Sequence, residues 1–169
     1  GEQYARYIEA PDASATAWLK DARSRRVAAS ALATLARKDP DAAERLLAQV
    51  GPALGFDEGE RGRVLYQVAL WTVASYLPDS ARRLANVPAS AYDASLHEWR
   101  VREAIARRDW AGALAGLRRM PAAQRSDSRW TYLEARMREL TGDAAGARAL
   151  FAQAATKLRK SAMLGRNGA

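Results

Sequence analysis

Apolar residues recur at helical spacing along most of the chain, and the segment from Leu96 to Met120 shows the pattern most completely. Two apolar stripes flank a break at Arg108 and Asp109, and each stripe is too narrow to form a stable helix alone. Asp109 is a good N-cap, because its carboxylate can accept from the free N–H groups of the following turn. Pro121 ends the second stripe. The segment therefore predicts an antiparallel helix pair.

The same unit recurs along the sequence. An Asp followed two residues later by Ala is predicted to open the second helix of each pair at Asp41, Asp79, Asp109 and Asp143. The mean interval between these aspartates is about 34 residues, which is typical of stacked helix pairs. Because Ala is small, it would let the second helix approach the first closely. The pattern favours an all-α, right-handed superhelix (solenoid) of about four antiparallel pairs.

Other segments fit this plan. Ala28 to Ala36 predicts a helix that ends at the Asp-Pro-Asp sequence 39–41, where the next helix begins. Residues 51–62 carry four glycines and predict a solvated connector, since their spacing fits no phosphate-binding loop. A buried helix is expected over 64–77. Later helices are indicated by Trp130, Leu133, Met137 and Leu140, and by Leu150, Phe151, Ala154 and Leu158.

These patterns predict a superhelical segment over residues 1–156 and a basic, frayed tail over 157–169. Because the end pairs of such a segment lack neighbours, apolar surface near Trp18 and near 150–158 should be exposed or covered by self-association.

Composition narrows the possible chemistry. The chain has 39 Ala, two Phe and no Cys, which suits close helix packing and excludes disulfides, thiolate metal sites and a Cys nucleophile. Four of the net +8 charges lie after residue 156, and elsewhere Arg mixes with Asp and Glu, so nucleic-acid binding is disfavoured. The longest uncharged run, 64–77, is too short to span a membrane.

No residue is assigned a catalytic, cofactor-binding or metal-ligating role. His97 is the single histidine and is interpreted as a half-buried packing residue. Two pairs of glutamates, each five residues apart, are interpreted as solvated helix faces: Glu98 with Glu103, and Glu134 with Glu139. The five tryptophans, at positions 18, 71, 99, 110 and 130, are expected to fill space between alanines.

Several motifs, in order, resemble the α-superhelical domain of soluble lytic murein transglycosylases. They are Glu98-Trp99-Arg100, then Asp109-Trp110, then the W-x-Y-x-x-A-R run of Trp130, Tyr132, Ala135 and Arg136. The resemblance extends from about Trp18 to Ala155. It implies a periplasmic protein of a Gram-negative bacterium, whose helix pairs form a ring around peptidoglycan.

The resemblance also implies a parent enzyme that cleaves the MurNAc–GlcNAc β-1,4 bond to give 1,6-anhydromuropeptides. That chemistry belongs to a separate lysozyme-like domain, so this chain is expected to be non-catalytic and to need no cofactor. Its expected partners are peptidoglycan and the catalytic domain, without nucleic acid or a membrane span. Two alternatives stay open: a tetratricopeptide-like protein-binding scaffold, and an RNA-binding helical repeat.

Overall fold

A computed structural model describes residues 1–167, with the side chain of Asn167 excepted. Over these residues the chain forms α-helices and two short 3₁₀ turns, Ala13–Ala17 and Ala89–Ala91, without a β-strand. The predicted all-α class is confirmed. The helices are α1 (Glu2–Glu9), α2 (Ala22–Ala36), α3 (Pro40–Leu54), α4 (Glu58–Ala74), α5 (Ser80–Asn86), α6 (Ala94–Ala106), α7 (Trp110–Arg119), α8 (Ala122–Arg125), α9 (Ser128–Leu140) and α10 (Ala144–Asn167).

The chain divides into two compact units, Gly1–Leu96 and His97–Ala169. In the first unit, α2 packs on α3 and α4, while α1 packs on α2 and α5 on α4. Its core combines large and small apolar residues, including the fully buried Leu32, Leu54 and Ala28. The many buried alanines follow the expectation that small side chains allow close helix contacts.

In the second unit, α9 packs against α7 and α10. Val101, Leu117, Trp130 and Met137 are buried together in its core. Gly116 marks a close approach, because a Cβ atom there would lie 3.1 Å from Cγ2 of Val101. The two apolar stripes predicted on either side of Asp109 therefore meet.

Two turns in the second unit, at Asp109 and Asp143, repeat each other bond for bond. The N–H of Asp109 donates to Ala104 O at 2.9 Å, and that of Asp143 to Arg138 O at 2.8 Å. Asp109 Oδ1 and Asp143 Oδ1 each accept from an N–H three residues on, both at 2.9 Å. The residues before them, Arg108 and Gly142, both have positive φ, 61° and 93°. The interval between these two aspartates therefore corresponds to a repeated helix–turn–helix geometry.

Two of the four predicted capping aspartates are confirmed, Asp109 and Asp143. Asp41 is not a cap: Asp39 caps α3 through the N–H of Ala42, and Pro40 occupies the first helical turn, where its missing N–H costs nothing. Asp79 precedes α5 in a left-handed conformation with no side-chain capping bond.

The predicted solvated connector at 51–62 is wrong, since most of it is helical. Helix α3 continues through Gly51 and Pro52 to a left-handed C-cap at Gly55, and α4 begins at Glu58. Pro52 lies in the last turn of α3, where it removes one backbone N–H donor of the helix. Asp57 and Glu60 form a reciprocal capping box that starts α4 early. The expected helix over 64–77 accordingly spans Glu58–Ala74.

The two ends of the chain follow the expectation of exposed apolar surface in part, since Leu19 beside Trp18 is exposed but Trp18 itself is not. Trp18 is buried, because Tyr4 and Tyr7 pack edge-on against it with ring centroids 4.7 Å away. Residues expected to fray continue α10 to Asn167, since Lys, Leu, Arg, Ala and Met are strong helix formers. Leu158 is exposed, as expected for that end, and so are Met163 and Leu164. Residues 168 and 169 of the predicted tail lie outside the described residues.

Candidate functional site

Most of the residues considered for chemistry in the sequence have structural roles in the fold. His97 is half-buried. Three glutamates pair with arginines three or four residues away in sequence: Glu98 with Arg102, Glu103 with Arg107, and Glu139 with Arg136. The tryptophans at 18 and 130 are buried and those at 71, 99 and 110 are half-buried, which fits a space-filling role. Of the four glutamates expected on solvated faces, Glu139 is exposed, Glu98 and Glu103 are half-buried, and Glu134 is buried, so its expected solvated position is wrong.

Glu134 is only 4% exposed, although it carries a charge. It lies one turn after Trp130 and one turn before Met137, so helix α9 places it on the buried stripe. Its Oε1 accepts from Nη2 of Arg125 on α8, and its Oε2 lies 3.4 Å from Nη2 of Arg138. The two guanidinium groups compensate for the loss of solvation on burial. The spacing from Trp130 was the sequence signal for this burial.

Arg138 links this carboxylate to the turn before α10. Its Nη1 donates to Oδ2 of Asp143 at 3.1 Å. The N–H of Gly146 and this guanidinium lower the pKa of Asp143. The N-cap of α10 and the buried carboxylate are therefore held by one side chain.

Glu134 lines a cleft of about 310 Å³ between α8, α9 and α10, called here the Glu134 cleft. Lys157 of α10 lies across it, and its Nζ donates to Ser126 O at 2.7 Å and lies 3.4 Å from Thr131 Oγ1. The full lining is Ala122, Arg125, Ser126, Thr131, Glu134, Leu150, Gln153 and Lys157. Charged, hydrogen-bonding and apolar groups thus meet in one small cavity, which sequence reasoning did not predict.

The first unit contains a second buried charge, Arg83 of α5, which is 5% exposed. Its Nη1 donates to Thr72 Oγ1 at 2.9 Å, and its Nη2 to Asp41 Oδ1 at 2.6 Å and to Glu44 Oε1 at 3.3 Å. Its Nε is buried without a hydrogen-bond partner. These contacts attach α5 to α3 and α4.

The acidic partners of Arg83 respond to it electrostatically. The hydrogen bond and the charge of Arg83 lower the pKa of Asp41. Burial alone would raise the pKa of Glu44, but hydrogen bonds from Arg82 and Arg83 outweigh it and lower that pKa. Arg82 binds Glu44 through both of its terminal nitrogens, at 3.2 and 2.8 Å. In this cluster, the carboxylates of Asp41 and Glu44 therefore surround the buried guanidinium group of Arg83.

Two further findings concern residues 1–167. Within them, no group of three or more His, Asp or Glu side chains is placed to hold a metal ion. No helix in that range combines the length and apolar character needed to cross a membrane.

Comparison of the chain with protein-family models, with curated proteins and with solved structures found no match.

Proposed function

We propose that this chain is a non-catalytic segment of a peptidoglycan lytic transglycosylase. Its helix pairs would continue as a right-handed superhelix that shapes a ring around the glycan and contacts it. The parent enzyme would act in the periplasm of a Gram-negative bacterium and cleave the MurNAc–GlcNAc bond in another domain.

The observation that supports this proposal most is the repeated turn around Asp109 and Asp143. Both turns use the same capping bond and the same bond from the aspartate N–H back to the preceding helix. A repeated helix–turn–helix is the element from which helical solenoids are built. The scaffold role rests on this repetition.

The residues of the family motifs have structural positions that suit a scaffold. Trp130 and Ala135 are buried in the second unit, and Asp109 caps the helix that begins at Trp110. Tyr132 is 56% exposed and packs edge-on against Phe151 of α10 at 5.3 Å. These contacts explain why such residue types would recur in packed helix pairs without a catalytic role.

The proposed contact with peptidoglycan depends on the positive net charge of the chain, which is +8 and comes mainly from 23 arginines. Arg can bind a carboxylate through two parallel N–H bonds, and peptidoglycan stem peptides carry carboxylates. Arg118, Arg119 and Arg148 lie on exposed positions of the second unit, where such contacts are possible.

Co-sedimentation with purified sacculi tests this function. We expect the chain to be retained more than an unrelated helical protein of equal net charge, and the retention to fall with salt. Retention equal to that of the control protein at every salt concentration would contradict the proposed contact with peptidoglycan.

A further inference from the structure

In and beside the Glu134 cleft, cationic side chains outnumber carboxylates. Its charged lining is Glu134 on α9, Arg125 on α8 and Lys157 on α10. Beside the cleft, Arg138 binds both Glu134 and Asp143. Three cations therefore meet two carboxylates. The cleft keeps one positive charge in excess.

Lys157 carries that excess. The two oxygens that its Nζ contacts belong to the carbonyl of Ser126 and the hydroxyl of Thr131, both neutral. An ammonium group has three N–H donors, so these two contacts leave one donor for a ligand. Lys157 is also half-buried, and its contacts with Ser126 and Thr131 hold the ammonium group over the cleft.

The other walls define what kind of anion would fit. Arg125 uses Nη2 for Glu134 and is 37% exposed, which leaves further guanidinium N–H groups available at the rim. Gln153 adds an exposed amide, while Leu150 and Ala122 supply apolar surface. A ligand with one carboxylate and a small apolar group would therefore match both the charge and the lining.

We infer that the Glu134 cleft binds the carboxylate of a short peptide or small organic acid, with Lys157 as the principal charged contact. The buried Glu134 does not act on the ligand itself. Both of its oxygens accept from guanidinium groups, and its role is to hold Arg125 at the cleft and Arg138 beside it. The inference rests on the proposed function and extends it, since a stem peptide ends in such a carboxylate.

Amide NMR of the ¹⁵N-labelled chain tests this site with the dipeptide acetyl-alanyl-alanine and with its C-terminal amide. We expect the free acid to shift the amides of Thr131, Gln153 and Lys157 with a Kd of about 1 mM, because a partly solvent-exposed charge pair is weak. The amide form should leave them unshifted. Equal shifts from both forms, or none from the acid at about ten times that Kd, would overturn the inference.

Two lysine variants distinguish binding at the cleft from attraction to the overall positive charge of the chain. Lys157→Met should weaken dipeptide binding at least about tenfold, a loss of one charged contact. Lys160→Met is the matched control, since Lys160 is exposed one turn further along α10, and it should bind as the natural chain does. An equal loss in both variants would overturn the role of Lys157. Amide spectra of each variant report whether the fold is kept.

Two further arms identify the source of the carboxylate. If acetate shifts the same amides as strongly as the dipeptide, the cleft recognises small organic acids. If the dipeptide causes larger shifts than acetate, the ligand is a peptide. Sacculus retention is measured on the same samples. Binding of the dipeptide without retention on sacculi would support the carboxylate site and contradict the proposed function. Retention on sacculi without binding of the dipeptide would contradict the carboxylate site alone.

Discussion

Arg83 in the first unit and Glu134 in the second are both buried charges, and each is held by two side chains of opposite sign. The partners differ in their solvation. Of the partners of Arg83, Asp41 is 69% exposed, and Glu44, which is 26% exposed, is also bound by Arg82, whereas Arg125 and Arg138, which bind Glu134, are 37% and 26% exposed. A carboxylate in water can recover its solvation if Arg83 is lost, but two half-buried guanidinium groups cannot do so as easily.

The two clusters also differ in what surrounds them. Arg83 connects three helices and donates to Thr72, whose hydroxyl is itself bonded to Val68 O. Glu134 instead lines a cleft that Lys157 crosses. A buried charge held by side chains of opposite sign therefore serves helix packing in the first unit. In the second unit, it also lines a cleft where the Lys157 ammonium group has a donor left for a ligand.

The largest expected effect follows from this difference in solvation. Glu134→Gln should lower the free energy of unfolding of the second unit by about 2 kcal/mol, because it leaves two guanidinium groups partly buried beside a neutral amide. The value lies below the range for fully buried pairs, since both arginines retain some solvent contact. Glu139→Gln, at an exposed pair on the same helix, should change it by less than about 0.5 kcal/mol.

Arg83→Met should cost less than Glu134→Gln, below about 1 kcal/mol in the first unit. Methionine fills similar space and removes the unpartnered buried Nε, while Asp41 is left in contact with solvent and Glu44 keeps its bonds from Arg82. Native-state hydrogen exchange measures both variants, since the amides of α4 and α9 report each unit separately. An equal or larger loss at Arg83 would show that exposure of the partners does not decide the cost.

The repeated turns give a test with opposite signs. Arg108 and Gly142 occupy corresponding left-handed positions, φ 61° and 93°, and only glycine adopts this conformation without strain. Arg108→Gly should stabilise the second unit by about 1 kcal/mol, and Gly142→Ala should destabilise it by about as much. Urea unfolding followed by circular dichroism measures both. The same sign for both substitutions would contradict the equivalence of the turns.

The caps give an effect of similar size. Asp143→Ala should lower stability by about 1 kcal/mol, because the N–H of Gly146 loses its acceptor and Arg138 loses a partner. Asp143→Asn retains a side-chain oxygen for the cap and should lose less than about 0.5 kcal/mol. Thermal unfolding compares them, and equal losses would assign the effect to charge instead of to capping.

The smallest expected effect is on the pH dependence of stability. The folded-state pKa values of Asp41, Glu44 and Asp143 are lowered from 3.8, 4.5 and 3.8. The stability they contribute is therefore fully present above those ordinary values, and is lost as pH falls through the folded-state pKa values. Unfolding midpoints measured downward from about pH 5 should decline less steeply in Asp41→Asn/Glu44→Gln. An unchanged slope would contradict the role of these two acids.

Local signals predicted much of the fold. The caps at Asp109 and Asp143 depend on bonds to N–H groups three residues away, so a short sequence pattern contains the whole interaction. The connector prediction is wrong because the Asp57–Glu60 capping box starts α4 within the stretch whose four glycines favour a loop. The residues of the predicted tail up to Asn167 are helical in α10, in keeping with their high helix propensity.

The candidate site could be predicted only in part. Glu134 lies on the stripe that Trp130 and Met137 define, so its burial was accessible from helical spacing. Its contact with Arg125 and the position of Lys157 near Ser126, far apart in sequence, depend on how α8, α9 and α10 pack. Tertiary contacts of this kind have no local signature in the sequence.

The most direct test of the central claim is amide NMR of the ¹⁵N-labelled chain titrated with soluble muropeptides released from sacculi. A peptidoglycan-binding scaffold with its spare cation at Lys157 predicts shifts concentrated in the second unit, at Thr131, Gln153 and Lys157, with the amides around Arg83 unchanged. Shifts of equal size around Arg83, or no shift anywhere, would contradict it.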